Sequence, residues 1–195
     1  MLFSEDPRII FIHVYKNAGT SIRRAFLKAG LQDDAAARGL TSHATASEVI
    51  RGIGPAAFSN YLSFAVVRNP WDWQVSLYRY ALEKPNHHQH EMVKQMGSFE
   101  VYLDWRCRDE VRLQKGFVAD AGGAILVNRI IRFENLADDF NAICRDLGII
   151  ASLPHLNASN RSHWQDCYDE RTFALVEKTF ADDIELFGYD DCRLA

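Results

Sequence analysis

The sequence predicts an α/β fold, a mainly parallel sheet flanked by helices, in a single domain over residues 1–195. Three observations carry this. Two apolar, β-branched runs, Ile9 to Val14 and Leu62 to Val67, read as buried strands. Each is followed within a few residues by a helical pattern, so strand and helix alternate along the chain. A length of 195 residues with 48% hydrophobic residues suits one globular domain with its own core.

The first strand runs into the loop Tyr15-Lys16-Asn17-Ala18-Gly19. A helix is expected from Thr20 to Ala29, with Ile22, Ala25, Phe26 and Ala29 on one side and Gly30 as its stop. A short helical stretch is expected near Ala46 to Gly52. Arg68 ends the second strand, Asn69 is a natural cap and Pro70 suits the first helical position, so a helix should run from about Trp71 to Leu82. Glu83 to Gln95 is polar and reads as an exposed connection. Further on come a helix over Gly97 to Arg108 and, after the Gly122-Gly123 turn, a third strand over Ile125 to Arg132. An amphipathic helix over Glu134 to Leu147 is closed by Gly148. A loop over Leu153 to Asn160 precedes one last helix over Asp169 to Phe187.

Twenty-two Lys and Arg against 26 Asp and Glu leave a formal charge of −4, so the chain is not built to coat nucleic acid, and any anion site must be a local cluster. No segment approaches the ~20 apolar residues of a membrane span, and the N-terminus lacks the pattern of a signal peptide. Cys107, Cys144, Cys167 and Cys192 show no metal or disulfide spacing and read as reduced, mostly buried thiols. A cytoplasmic protein is expected. His87, His88 and His90 lack neighbouring ligands and read as an exposed polar loop, so no metal is expected. Trp71, Trp73 and Tyr78 offer rings for stacking on a sugar or adenine, but at helical spacing such residues are more often core.

The segment Lys16-Asn17-Ala18-Gly19-Thr20-Ser21 lies where a strand meets a helix. Such a turn directs backbone N–H groups outward at the positive end of the helix dipole. Lys16 adds a formal charge, Thr20 and Ser21 add hydroxyls, and Ala18 and Gly19 keep the approach open. These parts suit a phosphoryl or sulfuryl group. The nucleoside-triphosphate pattern GxxxxGK[ST] is absent. A second anion site is read at Arg68, on the usual ligand edge of an open sheet, with Ser76 in the following helix.

These two sites carry a resemblance. Phe11-Ile12-His13-Val14-Tyr15-Lys16-Asn17-Ala18-Gly19-Thr20-Ser21 resembles the 5′-phosphosulfate loop of sulfotransferases that use 3′-phosphoadenosine-5′-phosphosulfate (PAPS). It is most similar to the branch of carbohydrate and heparan-type enzymes and their bacterial relatives. Phe64-Ala65-Val66-Val67-Arg68-Asn69-Pro70-Trp71-Asp72, with Ser76-Leu77-Tyr78, resembles that family's 3′-phosphate segment. Arg132 to Leu136 and Phe187-Gly188-Tyr189 are also similar to stretches of the branch, so the resemblance runs from about residue 9 to 190. One departure is Tyr15, where the family usually has a proline before the loop lysine; a fixed φ is lost but no ligand atom.

The resemblance implies a sulfotransferase fold of the P-loop nucleoside-triphosphate-hydrolase type, with PAPS as co-substrate and a carbohydrate or glycoconjugate hydroxyl as acceptor. Lys16, Asn17, Ala18, Gly19, Thr20 and Ser21 would hold the 5′-phosphosulfate, and Arg68 and Ser76 the 3′-phosphate. Arg161, in the polar stretch 157–162, is read as reaching a phosphate. Lys16 is the expected catalytic group at the bridging oxygen. His43, in Thr41-Ser42-His43-Ala44-Thr45, is the first candidate for general base, with His13 and Glu134 behind it. Two other readings remain open. One is a nucleotide or small-molecule kinase with an atypical phosphate loop, and the other is a non-catalytic nucleotide-binding protein.

Overall fold

The computed structural model describes residues 1–153 and 163–192. Arg161 and the stretch 157–162 lie outside the described residues, so their expected role has no structural counterpart here. The fold is α/β. Four strands form one sheet in the order β1 (Leu2–Glu5), β2 (Arg8–Ile12), β3 (Leu62–Val67) and β4 (Arg129–Arg132). β2, β3 and β4 are parallel; β1 pairs antiparallel with β2, Leu2 opposite Phe11.

In chain order the helices are α1 (Gly19–Lys28), α2 (Ala46–Ile53), α3 (Pro55–Phe58), α4 (Pro70–Glu83), α5 (His90–Met96), α6 (Phe99–Arg108), α7 (Lys115–Val118), α8 (Leu136–Asp146), α9 (Glu170–Thr179) and α10 (Ala181–Phe187). Residue contacts group the chain into two compact units. The first takes in Met1–Arg68 and the segment that begins at Gln114; the second takes in Asn69–Leu113 and the C-terminal segment.

The first unit holds the sheet. Ile9, Ile10, Phe11 and Ile12 are all fully buried, as are Phe64, Ala65 and Val67, because a strand covered on both faces must be apolar throughout. The core joins Phe11 to Phe64 (ring centroids 4.9 Å apart) and Phe26 of α1 to Phe140 of α8 (5.1 Å). Burial of each such ring contributes roughly 1.5–3 kcal/mol. α2 starts at a capping box: Thr45 Oγ1 accepts from the Glu48 N–H, and the Glu48 carboxylate accepts from the Thr45 N–H.

The second unit is helical. Asn69 caps α4 as expected, its Oδ1 accepting from Trp71 N–H at 3.0 Å and Asp72 N–H at 3.2 Å. Trp71 is buried, stacks on Phe173 of α9 at 4.5 Å and donates its indole N–H to the Phe173 carbonyl. Trp73 is buried too, so both tryptophans belong to the core.

Several boundaries differ from the sequence reading. Glu83 to Gln95 holds all but the last residue of α5, which buries Val93. The third strand is limited to Arg129–Arg132; Ile125 makes only an isolated bridge with Ala119. The helix expected from Glu134 starts at Leu136, after a 3-10 turn over Phe133–Asn135. The last helix is two, because the chain bends at Phe180 (φ −107°, ψ 22°), whose ring is fully buried. Among the described residues no cysteine forms a disulfide, and only Cys144 is buried, so the expectation of mostly buried thiols does not hold.

Candidate active site

The loop from β2 to α1 is bent at two residues that are not glycine. Lys16 has φ 65° and Ala18 φ 59°. The left-handed region costs an L-residue about 1–2 kcal/mol, and such a shape persists only where its surroundings over-determine it. They do so at Asn17, which lies between the two and is fully buried. Its Nδ2 donates to the Val66 carbonyl at 2.9 Å and to Gln114 Oε1 at 2.7 Å. Two acceptors on that side settle the amide's orientation and leave Asn17 Oδ1 buried with no hydrogen-bond partner among the described residues. The Lys16 carbonyl accepts from Arg68 Nη1 at 3.2 Å.

Ala18 caps α1 without a side-chain bond, and the first turn carries no acidic residue. The first backbone bonds of the helix run from the Ser21 and Ile22 N–H groups to the Ala18 carbonyl, at 2.9 and 3.0 Å. The N–H groups of Gly19 and Thr20 therefore precede the first intrahelical bond, at the positive end of the dipole. Thr20 is exposed, and Lys16 and Ser21 are half-buried. Gly19 is required by contact rather than by φ: a Cβ there would lie 1.8 Å from His13 Cδ2.

That His13 ring lies 4.5 Å from the ring of His43. Burial, chiefly, lowers the His13 pKa to about 3, with the chain's amino terminus and His43 adding to it. So weak a base is poorly matched to proton abstraction near neutrality. His43 is exposed, and its Nδ1 lies 3.0 Å from the His13 carbonyl oxygen. Tyr15 meets the His43 ring edge-on at 5.9 Å and Phe117 at 5.4 Å. A cavity of about 310 Å³ opens in the same connection, lined among others by Arg38, Thr41, Ala44, Glu48 and Arg51.

Arg68 is only 4% exposed. Its guanidinium carbon sits 4.1 Å over the Phe133 ring, and the same group bonds the Lys16 carbonyl. Its backbone is held on both sides by Gln114: the Arg68 N–H donates to Oε1 at 2.9 Å, and Nε2 donates to the Arg68 carbonyl at 2.8 Å. Lys16 to Ser21, Arg68, His13 and His43 thus come together in the first unit. Ser76 lies half-buried on α4, in the second unit. Glu134 is exposed in the 3-10 turn after β4.

Gln114 and Phe133 are missing from the sequence reading. Phe133 falls inside the stretch Arg132 to Leu136 that carries part of the resemblance, but nothing in its spacing places an aromatic ring under an arginine. Gln114 is a lone polar residue far along the chain from both its partners, and no motif flags it.

The model of the sulfotransferase family matches residues 1–190. The chain belongs to the sulfotransferase family. Comparison with curated proteins finds no match, and neither does comparison with solved structures. The family match takes in β1 through α10, and with them the bent loop of this sulfotransferase, Arg68, Ser76 and His43. Among its described residues, no group of three or more His, Cys, Asp or Glu is placed to hold a metal ion, and no helix is long and apolar enough to cross a membrane.

Proposed function

We propose that this sulfotransferase moves a sulfuryl group from PAPS to a hydroxyl of a carbohydrate acceptor. The observation that carries the reading is the strained loop. Two left-handed residues flank an anchored Asn17 and lead into a helix N-terminus with no acidic side chain in its first turn. Strain of this kind clusters at ligand sites, and the helix end it leads into attracts an anion, which supports a phosphosulfate site here.

Lys16, the loop amides from Asn17 to Gly19, Thr20 and Ser21 hold the 5′-phosphosulfate. Arg68 and Ser76 take the 3′-phosphate, and Arg161 reaches a phosphate oxygen. The acceptor oxygen attacks sulfur while the bond from sulfur to the bridging phosphate oxygen breaks, in line, and adenosine 3′,5′-bisphosphate leaves. Lys16 stabilises the charge that grows on the bridging oxygen. His43 takes the hydroxyl proton on Nε2; its bond to the His13 carbonyl supports that role.

The carbohydrate acceptor rests on the similarity of the two anion motifs to the carbohydrate and heparan-type branch. The family match through both compact units supports one working domain over 1–195. The four cysteines, none of them in a disulfide among the described residues, support a cytoplasmic setting.

Calorimetric titration tests the donor. Adenosine 3′,5′-bisphosphate should bind tightly, Arg68→Ala should weaken it by ~2 kcal/mol, the scale of a lost charged hydrogen bond, and ATP should bind weakly. ATP binding better than the bisphosphate in the presence of Mg²⁺ would replace this reading with a kinase. Transfer of labelled sulfate from PAPS to a panel of saccharides, with lipid and tyrosine acceptors alongside, tests the acceptor.

A further inference from the structure

We propose that Gln114 is the positioning residue of the donor site, locking the strained loop and the end of β3 into one register. The proposal rests on the reading of that loop as an anion site. Gln114 touches no reacting atom in this scheme; it acts through Asn17 and Arg68.

Gln114 stands just before α7 and is fully buried. Burying a side-chain amide is costly unless its groups are paired, so an amide is kept in a core where its bonds matter. Here Oε1 accepts from Asn17 Nδ2 at 2.7 Å and from the Arg68 N–H at 2.9 Å, while Nε2 donates to the Arg68 carbonyl at 2.8 Å. Pairing between β3 and β4 ends at Val67 opposite Arg132. One residue past that point, the Gln114 amide exchanges two bonds with the backbone of Arg68, accepting from its N–H and donating to its carbonyl.

Its third bond reaches the loop at the one residue between the two left-handed ones. With Asn17 held, neither Lys16 nor Ala18 can relax to the right-handed region without breaking a buried bond. One planar group thereby sets both the direction of the loop amides and the place of the Arg68 backbone. No other common side chain does this. Glutamate lacks the donor, leucine and methionine lack donor and acceptor, and asparagine is a methylene shorter.

The test compares wild type with Gln114→Met, which keeps volume, and Gln114→Glu, which keeps the acceptor and loses the donor. Two readouts are needed. Hydrogen exchange without ligand should speed up at least tenfold at the Arg68 amide and in the 14–20 segment of Gln114→Met, with α8 unchanged. Titration with adenosine 3′,5′-bisphosphate should then show at least tenfold weaker binding, with Gln114→Glu weakened as well. Unchanged local exchange would overturn the lock whatever the ligand does. Faster exchange with undiminished affinity would reduce Gln114 to a structural brace and overturn its positioning role. Should Gln114→Met fail to fold, Gln114→Glu decides by the same two readouts. A wild type that ignores the bisphosphate while exchange responds as expected would instead sink the donor reading, and with it a role for Gln114 in that site.

Discussion

The carbonyl oxygen of His13 lies 3.0 Å from Nδ1 of His43. A carbonyl only accepts, so the neutral His43 ring carries its hydrogen on Nδ1 and presents Nε2 as a lone pair. A base held in one tautomer is ready to receive a proton without first rearranging. His43→Ala should therefore lower the turnover of sulfate transfer about 10²- to 10⁴-fold. Calorimetry should show adenosine 3′,5′-bisphosphate bound as tightly as before, because His43 serves the acceptor side. Full turnover by the variant would assign the proton to another group.

Two glycines should respond in opposite directions to the same substitution. Gly19→Ala drives a methyl group to within 1.8 Å of His13 Cδ2, in a site where the ring is packed and the loop already strained. Overpacking of this kind costs about 1–3 kcal/mol, and bisphosphate affinity should fall with it. Gly52 lies inside α2, and an added Cβ there meets nothing nearer than Leu40 Cδ2 at 3.8 Å. Gly52→Ala should stabilise the chain by up to ~1 kcal/mol through helix propensity alone. Denaturant unfolding of the two variants reads both signs.

His13 also makes stability depend on pH. Its pKa falls from the ordinary 6.5 to about 3, chiefly through burial. Between those values the unfolded chain holds a proton that the folded chain does not, so stability rises with pH across the window. It is complete above about 6.5 and is lost, at up to about 1.4 kcal/mol per pH unit, as the solution is acidified toward 3. Urea unfolding at pH 7 and pH 5 should show this loss in wild type and a smaller one in His13→Gln. Equal losses in both would mean that the ring is not held neutral.

Much of this arrangement is legible in the residues because local rules happen to coincide with the global fold. Ile9 to Ile12 is apolar at every position and Leu62 to Val67 at every position but Ser63, a pattern that a strand buried on both faces requires. Asn69-Pro70 writes a helix start into the chain, and α4 starts there. β1 was illegible: four residues next to Pro7 carry too little pattern to stand apart, and the strand exists through its pairing with β2. Phe180 reads as one more apolar position in a long helix, but burying its ring bends the chain there. In the site, Lys16 and Gly19 follow from the chemistry of anions at helix ends. The left-handed Lys16 and Ala18 do not, since neither type favours that region and Asn17 between them is bonded to Val66 and Gln114, both far away in the sequence.

The second unit contains a mismatch that one substitution should repair. Gln74 on α4 and Arg106 on α6 are 0% and 4% exposed, and Arg106 Nε donates to Gln74 Oε1 at 3.3 Å. Among the described residues, Gln74 Nε2 and Arg106 Nη2 are both buried without a hydrogen-bond partner. Both are donors, so neither can satisfy the other. A guanidinium buried beside a neutral amide gains no counter-charge from it. Gln74→Glu replaces the unpaired donor with a second carboxylate oxygen and allows a two-bond pair with the guanidinium. The arginine is already desolvated in the wild type, so the new cost is that of the carboxylate alone. A stabilisation of about 1–3 kcal/mol is expected at pH 7. The two-bond pair needs the carboxylate ionised, so its contribution should be present near neutrality and disappear as the solution is acidified and the carboxylate takes up a proton. Gln74→Leu, which takes away the one partner that Arg106 Nε has here, should destabilise instead. Urea unfolding of the three proteins at pH 7 and pH 3 separates the cases, and a Gln74→Glu variant less stable than wild type at pH 7 would show that the pair of orphaned donors is met by some other acceptor.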